Sequence, residues 1–142
     1  MSNYPLPNFH FKVDWGGARQ DFTEVKGLDR YIEPILMRDG NSPESISKIM
    51  PGTEKFNTIT LRRTIQKGDT DFFDWMNTKN MSTIERRDVT ISLLNEEHNP
   101  VMRWKAQSAF PVRYSGPIFN SSNNEAAYEE LELVHERLSL SV

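Results

Sequence analysis

The chain has 142 residues, of which 37% are hydrophobic, 26% charged and 11% aromatic, and its formal net charge is -3 at pH 7. This composition predicts a folded globular protein, and the slight negative charge argues against a nucleic-acid-binding face. The chain has no cysteine, which excludes disulfides, thiol nucleophiles and thiolate metal sites, and it has no apolar run near the roughly 20 residues that cross a bilayer.

Two segments near the N-terminus predict the first two strands. Phe9–Trp15 alternates apolar and polar residues without a break, which is the period-2 pattern of a half-buried strand. Gly16-Gly17 follows and is typical of a tight turn, so Asp21–Lys26 is predicted to pair with the first strand as a hairpin. The predicted apolar face of the first strand consists of Phe9, Phe11, Val13 and Trp15.

Two further strands are predicted on either side of a long segment that has neither a strand nor a helix period. The first, Tyr31–Arg38, contains Pro34, which cannot donate to a ladder and therefore predicts an edge position or a bulge. The second, Phe56–Arg63, alternates between apolar and polar residues. The segment between them, Asp39–Lys55, is long for a connection without secondary structure. Such connections are uncommon above about 12–15 residues, and those that occur are usually functional or disordered. We therefore expect this excursion to be completed by another copy of the protein.

A short helix is predicted next, from a cap at Asp69 or Asp71 to the vicinity of Asn80. Its acidic first turn suits the positive end of the helix dipole. Phe72 and Trp75 lie on one apolar stripe at helical spacing, so we expect the helix to plug one end or flank of a barrel.

The second half of the chain predicts a long hairpin and a final strand. Arg87–Tyr114 alternates on both sides of a turn at Asn95–Pro100, and Tyr128–Leu138 is predicted as one last strand. The core face of the returning arm is predicted to hold Met102, Trp104, Ala106, Ser108, Phe110, Val112 and Tyr114. The whole pattern predicts a mainly β fold, a barrel or sandwich of about seven to eight strands with one short helix, as a single domain over residues 1–142.

The sequence contains no recognisable motif for a metal site, a nucleotide-binding site or a catalytic site. His10, His98 and His135 are far apart, with no metal ligand spaced beside them. The segment Asp69–Asp71 begins like a calcium loop but is not followed by the glycine and the final glutamate that such a loop needs. Nucleotide-binding loops and hydrolase elbows have no match in the sequence. We therefore predict no enzyme, no metal site and no cofactor.

A monomeric barrel that binds a small ligand is an alternative that the sequence leaves open. β-Barrels bind ligands at their mouths. Trp104 or Tyr114 would then stack on the ligand, and a monomer with an apolar cavity would favour this function.

A series of segments, in order and with matching spacing, resembles the phage tail tube proteins and their relatives in contractile injection systems. No single motif is diagnostic, but the series covers nearly the whole chain. The segments are Phe9–Gly17, Phe22–Asp29, Pro51–Arg63, Asp71–Met76, Arg87–Leu94, Arg103–Lys105, Ala109–Tyr114 and Glu129–Glu136.

The resemblance implies a β-barrel with one helix, related to the haemolysin-coregulated protein of type VI secretion. Copies would form hexameric rings that stack into a hollow conduit for cargo, and a contractile sheath would drive this tube through a target envelope. The chain would be made and assembled in the bacterial cytoplasm, as part of a phage tail or a phage tail-like injection particle. The implied partners are further copies of the chain, sheath, baseplate and cap proteins and the cargo, with no specific nucleic-acid or small-molecule ligand.

Three sets of residues are candidates for these contacts. In the resemblance, the loop that reaches the neighbouring ring corresponds to Asp39, Gly40, Asn41, Ser42, Pro43, Glu44, Ser45, Pro51, Gly52 and Lys55. The wall of a lumen must be polar and must bind passing cargo only weakly. The outward faces of two strands would supply such a wall through Thr58, Thr60, Arg62, Thr90 and Ser92. The acidic C-terminal stretch is, by its charge, a candidate for meeting a basic sheath element through Glu129, Glu130, Glu132 and Glu136.

Overall fold

The computed structural model describes residues 10–38, 47–122 and 124–142 of the chain. The elements, in chain order, are β1 Phe11–Asp14, β2 Glu24–Lys26, β3 Arg30–Arg38, β4 Ser47–Phe56, β5 Ile59–Thr64, α1 Asp71–Met76, β6 Arg87–Leu94, β7 Pro100–Ser115, β8 Tyr128–Val134 and β9 Arg137–Ser141. The predicted fold class is confirmed, because the chain is mainly β with one short helix. Within the described ranges, no helix has the length and apolar character that a membrane crossing requires.

Seven of the strands form two walls that share the long strand β7. Pro100–Ala109 of β7 pairs with β6 on one side, and part of this stretch pairs with β9 on the other, while β1 pairs with the far side of β6. Phe110–Ser115 of β7 pairs with β8, β8 with β5, and β5 with β2. We call β1, β6, Pro100–Ala109 and β9 the β6 wall, and we call β2, β5, β8 and Phe110–Ser115 the β5 wall.

Strand alternation explains how the two walls enclose one core. Successive side chains of a strand point to opposite faces, so every second residue of each wall points inward. Val13 and Ile91 from the β6 wall and Ile59 and Leu61 from the β5 wall all belong to one cluster of buried side chains. Full burial of each such side chain contributes about 1.5–3 kcal/mol. The predicted alternation of Phe56–Arg63 is therefore confirmed at its apolar positions.

The predicted helical plug is confirmed by the aromatic side chains that α1 buries. Phe72 and Trp75 are fully buried. The ring of Trp15, at the end of the first predicted strand, lies 5.0 Å from the Phe72 ring and 6.0 Å from the Trp75 ring, measured between centroids. Offset and edge-on aromatic contacts of this kind stabilise a core beyond the area that they bury.

The helix ends four residues earlier than the predicted end at Asn80. Its start is held by Asp69, whose Oδ1 accepts a hydrogen bond from the backbone N–H of Asp71 at 3.1 Å. At the other end the hydroxyl of Thr78 donates to the carbonyl oxygen of Trp75 at 2.6 Å. Such side-chain bonds to the backbone compete with the helical ladder, which explains the early end.

β1 and β2 do not form the predicted hairpin. They lie at opposite ends of the strand order, because β1 pairs with β6 and β2 pairs with β5. The connection between them first bonds back to β1, where the backbone N–H of Val13 donates to the carbonyl oxygen of Gln20 at 3.1 Å. The indole N–H of Trp15 donates to the carbonyl oxygen of Arg19 at 2.7 Å, and Arg19 Nη1 donates to the carbonyl oxygen of Thr64 at 2.8 Å. These bonds carry the chain across the core to the β5 wall.

The predicted core face of β7 is wrong only around Phe110 and Val112, because a second register shift between Pro111 and Arg113 returns Tyr114 to the core as predicted. Ser108 adopts a positive φ of 54° at a point where the register with β6 shifts, which is the geometry of a bulge. A bulge inserts one residue and so reverses the alternation beyond it. As a result Ala109 and Pro111 are buried, whereas Val112, predicted to lie in the core, is exposed and Phe110 is only partly buried.

The predicted final strand Tyr128–Leu138 is in fact two strands. The chain leaves the β5 wall after Val134, and the backbone N–H of Glu136 donates to the carbonyl oxygen of Gln107 at 3.0 Å. β9 then continues along β7 in the β6 wall. The last strands therefore connect the two walls rather than extending one of them.

Much of the segment predicted to be a structureless loop is a strand. β4 pairs with β3 as a separate two-stranded sheet, the β3–β4 hairpin, so the loop prediction was wrong for Ser47–Lys55. Its sequence lacks a period because both of its faces are exposed, and the alternation of a strand arises from burying one face. The predicted bulge at Pro34 is confirmed, since the register shifts between Ile32 and Pro34, opposite Pro51.

Candidate assembly surfaces

The β3–β4 hairpin presents apolar side chains on the outside of the molecule. Among the hydrophobic side chains of the hairpin that the structure describes, only Phe56, at its end, packs against the core. Leu36 and Ile49 face each other across the hairpin and are 68% and 72% exposed. A large exposed apolar surface of this kind marks a contact with another protein. The other exposed large apolar side chains of the hairpin are Tyr31, Ile32, Ile35, Met37 and Met50.

Polar contacts fix the register of the hairpin near its base. Arg30 pairs with Glu54, and Lys55 Nζ lies 2.7 Å from the carboxylate of Glu33, whose hydrogen bond and negative charge raise the pKa of Lys55. A Cβ atom on Gly52 would lie only 2.3 Å from the carbonyl oxygen of Glu33, so glycine is required for this close approach. The hairpin is therefore a defined element that can present its side chains in a fixed arrangement.

The residues expected to reach a neighbouring ring divide into two groups. Pro51, Gly52 and Lys55 lie in β4. The other seven candidates, Asp39–Ser45, lie outside the described residues. The described element that holds this expected surface is thus the β3–β4 hairpin.

The five lumen candidates lie on two different walls. Thr60 and Arg62 are on the outer face of the β5 wall and Thr58 directly precedes it, whereas Thr90 and Ser92 are on the outer face of the β6 wall. The inner faces of both walls pack on one core, so their outer faces point in opposite directions. Only one of the two outer faces can therefore face a lumen. Thr60 and Ser92 are only 7% and 1% exposed, which leaves them little surface for cargo in the isolated chain.

Charges on the outer face of the β5 wall are balanced. Arg62 lies between Glu24, at 3.7 Å, and Glu130, at 3.8 Å, and its guanidinium stands 4.2 Å above the ring centroid of Tyr128. Paired residues of an antiparallel ladder share one face, and this face carries as many basic as acidic residues. They are Lys26, Arg62, Arg113, Glu24, Glu130 and Glu132.

The four acidic sheath-contact candidates do not form one surface. Glu130 and Glu132 share the outer face of the β5 wall with Arg62, so this face cannot serve both the lumen and the sheath. The prediction that Glu129 contacts the sheath is wrong. Its side chain is 5% exposed and points into the core, where no partner protein reaches it. Glu136 is exposed beyond the end of β8.

Glu129 belongs to a buried charge cluster that the sequence analysis missed. The side chain of Arg63 is fully buried, and its Nε donates to Glu129 Oε1 at 2.8 Å while its Nη2 donates to Asp69 Oδ1 at 3.2 Å. The guanidinium stands 3.9 Å from the ring centroid of Phe72. The hydroxyl of Tyr114 donates to Glu129 Oε2 at 2.8 Å, and burial together with this bond raises the pKa of Tyr114 to about 12. The cluster connects β5, β7 and β8 to the start of the helix.

Asp69 is held in its charged form within this cluster. Burial alone would raise its pKa, but the backbone N–H of Asp71 and the charges of Arg63 and Arg19 outweigh burial and lower the pKa. A carboxylate with a lowered pKa stabilises the fold above its unfolded pKa and loses that contribution as the pH falls through its folded pKa. Strong acid is therefore expected to weaken the connection between the helix and the β5 wall.

His135 lies where the hairpin meets the two walls. Its ring centroid is 5.0 Å from that of Phe56, and neither ring nitrogen has a hydrogen-bond partner among the described residues. Burial lowers the pKa of His135 below 6.5; the nearby backbone of Arg137 and Asn57 opposes this shift, although neither makes a hydrogen bond of good geometry to the ring. His135 is therefore neutral in the folded chain at neutral pH.

We expect the free energy of unfolding to fall as the pH is lowered from about 7.5 to about 5.5. In this range the unfolded chain binds a proton at His135 that the folded chain does not, so acid favours the unfolded state. Urea unfolding at both pH values measures the effect, and His135→Leu, which packs without titrating, should reduce it. An unchanged pH dependence in His135→Leu would show that other groups cause it.

Two histidines that are far apart in sequence lie together in the structure. The rings of His10 and His98 meet edge to face with their centroids 5.3 Å apart. A structural metal site usually needs more ligands than two. Across residues 10–38, 47–122 and 124–142, no group of three or more potential metal ligands occurs.

The two aromatic residues considered for ligand stacking have different surroundings. Tyr114 packs edge-on against Phe73, with ring centroids 5.2 Å apart, and its hydroxyl is bound to Glu129. Trp104 lines an open groove of about 720 Å³ between β9 and the base of the hairpin, together with Phe56. Of the two, only Trp104 faces a space that a second molecule can enter.

Comparison with known protein families identifies the family of this chain. The sequence model of the family described as T4-like virus tail tube protein gp19 matches residues 7–139. The chain belongs to this tail tube family. The predicted resemblance and the predicted role as a structural tube subunit are thereby confirmed. A comparison with curated protein sequences gives no match.

Several solved structures are similar to this chain in sequence and in fold. The tube protein is 34% identical to a chain of the PVC sheath-tube complex, an extracellular contractile injection system in its extended state, over 98% of this chain and 93% of that one, with a TM-score of 0.89. It is 30% identical to a chain of the anti-feeding prophage cap, over 99% and 93%, with a TM-score of 0.90. Hcp1 from Flavobacterium johnsoniae is 19% identical over 93% and 94%, with a TM-score of 0.56, and shares the fold.

Proposed function

We propose that the tube protein assembles into hexameric rings that stack into a hollow tube, and that the β3–β4 hairpin makes the contact between copies. The exposed apolar surface of the hairpin is the observation that carries this proposal. A two-stranded hairpin is at best marginally stable in water on its own. Covering its apolar side chains with a second copy would contribute about 25 cal/mol for each Å² removed from water.

The geometry of such a contact leads to a closed ring or a continuous filament. The hairpin of one copy would meet a different surface of the next copy, which makes the contact heterologous. Heterologous contacts close into a ring when the rotation between copies divides a full turn. We propose that Asp39–Ser45, which connect β3 to β4, reach the neighbouring ring.

We propose that the β5 wall, with Thr58, Thr60 and Arg62, faces the lumen. The cations and carboxylates of its outer face are equal in number, and Arg62 is shared between two carboxylates. Exposed ion pairs that already satisfy each other bind a passing chain weakly, because a new partner must replace an existing one. A balanced wall therefore suits a conduit through which cargo must slide.

The partners follow from the assemblies in which similar chains occur. These assemblies include a sheath-tube complex and a sheath/tube terminator, with 34% and 33% identity to this chain. We propose that the tube protein is likewise enclosed by a contractile sheath, built on a baseplate, closed by a cap and filled with cargo. Its role in the particle would be structural, without catalysis, and assembly would take place in the bacterial cytoplasm.

Electron microscopy of the purified chain tests the assembly. We expect rings or tubes whose fraction rises with protein concentration, because association follows mass action. Sedimentation velocity gives the matching distribution of sizes in solution. A chain that stays monomeric at high concentration, and also in the presence of its sheath and baseplate proteins, would contradict the proposed function.

A further inference from the structure

The outer face of the β6 wall carries cations that neighbouring carboxylates do not neutralise. Arg103 and Arg137 are exposed and Lys12 is partly exposed, and none of the three forms an ion pair with another residue in the described part of the chain. Lys105 lies 3.7 Å from Asp88. The charged side chains on this face are Lys12, Arg103, Lys105, Arg137, Asp14 and Asp88. Four cations against two carboxylates leave a net charge of +2 on this face.

The strand register brings these cations together with hydroxyl groups. Lys12 pairs with Ser92, Ser92 with Arg103, and Arg103 with Ser141, so two cations and two serines form one row across four strands. In the next row, Lys105 pairs with Ser139. Paired residues point to the same face of a sheet. Ser92 is covered in the isolated chain, but the exposed Ser141 and the partly exposed Ser139 lie beside these cations and offer neutral hydrogen-bond donors to the same ligand.

The two walls therefore differ in what they can bind. The outer face of the β5 wall has no net charge, because it holds three cations and three carboxylates. The β6 wall has an excess of unpaired cations, which attract an acidic ligand and gain free energy when a carboxylate pairs with them. We propose that the outer face of the β6 wall is the surface on which the tube binds an acidic segment of the sheath that encloses it.

This inference rests on the proposed function, and it reverses the charge relation that the acidic C-terminal stretch suggested. If the β5 wall faces the lumen, the β6 wall, on the other side of the core, faces outward. A protein ligand is favoured over a nucleic acid because the chain as a whole has a net charge of -3, which repels a long polyanion. A short acidic segment needs only the local excess of +2 on this face.

Charge reversal on the two walls tests the proposal with a matched control. The variant Arg103→Glu with Arg137→Glu changes two exposed cations of the β6 wall, and Lys26→Glu with Arg113→Glu makes the same change on the β5 wall. Binding of the purified sheath subunit to each variant is measured by co-sedimentation at low salt. We expect the β6-wall variant to bind at least about tenfold more weakly and the β5-wall variant to stay within about twofold of the wild type. Wild-type binding should weaken as salt is raised, since the screening length falls from about 10 Å at 0.1 M to about 3 Å at 1 M.

The alternative outcomes are distinct. Equal losses in the two variants, or no loss in the β6-wall variant, would overturn the proposal. If a labelled DNA duplex binds the wild type and is lost from the β6-wall variant while sheath binding is unchanged, the surface binds nucleic acid instead. A wild-type chain that forms no tubes counts against the proposed function, and the comparison of the two variants is then made with the monomeric subunit.

Discussion

Replacing Glu129 with leucine is expected to lower the free energy of unfolding of the tube protein by about 3–5 kcal/mol. Glu129 accepts hydrogen bonds from Arg63 Nε and from the hydroxyl of Tyr114, both at 2.8 Å. Leucine has similar bulk but no charge, so the buried guanidinium of Arg63 loses its nearest counter-charge. Asp69 remains as a more distant counter-charge at 3.2 Å from Nη2, but Nε loses its acceptor and Nη1 already has no hydrogen-bond partner among the described residues. Urea unfolding at neutral pH, followed by tryptophan fluorescence, measures the loss.

Two further variants separate the buried charge from a general effect of removing a glutamate. Glu130→Leu changes the next residue on the outer face, where the ion pair with Arg62 is partly exposed and 3.8 Å long, so we expect a loss below about 1 kcal/mol. Arg63→Met combined with Glu129→Leu removes both buried charges and should recover most of the stability. If Glu129→Leu and Glu130→Leu cost the same small amount, the cluster does not stabilise the fold as described.

Replacing Leu36 and Ile49 with glutamate is expected to abolish assembly while leaving the subunit folded. These two side chains face each other on the hairpin and are 68% and 72% exposed, so charges there remain in water in the monomer. In an assembled tube the same charges would be buried in an apolar contact, where an unpaired carboxylate is strongly unfavourable. Circular dichroism checks the fold, and electron microscopy with sedimentation measures the assembly.

The matched control for this pair keeps the surface apolar. Leu36→Met with Ile49→Leu changes the shape of both side chains but leaves them without charge, and volume-conserving apolar changes of this kind are tolerated best. We expect tubes of normal length from this control. Normal tubes from the glutamate variant would show that the hairpin surface is not buried between copies.

Much of the fold could be predicted because most strands bury one face. The alternation around Ile59 and Leu61 placed both side chains in the core, where they are fully buried. β4 could not be predicted in the same way, since neither of its faces is buried in the subunit and its sequence therefore carries no period. The bulge at Ser108 was also missed, because it depends on a backbone conformation that serine adopts only when the surrounding strands impose it.

The buried cluster was missed although the sequence contained a signal for it. Arg63 follows Ile59 and Leu61 at the same two-residue spacing, and Glu129 precedes Leu131 and Leu133 in the same way, so alternation places both charges on the inner face. A charge of each sign at the ends of two apolar faces indicates a buried pair. The assembly surfaces are harder to predict, because which wall faces the lumen depends on how copies meet and not on the subunit alone.

A cryo-electron microscopy reconstruction of tubes formed by the wild-type chain tests the central claim most directly. We expect the apolar side chains of the hairpin, Leu36 and Ile49 among them, to be buried against neighbouring copies, with Arg62 facing the lumen and Arg103 facing outward. Tubes in which the hairpin projects into solvent, or in which Arg103 lines the lumen, would contradict the assignment of these surfaces.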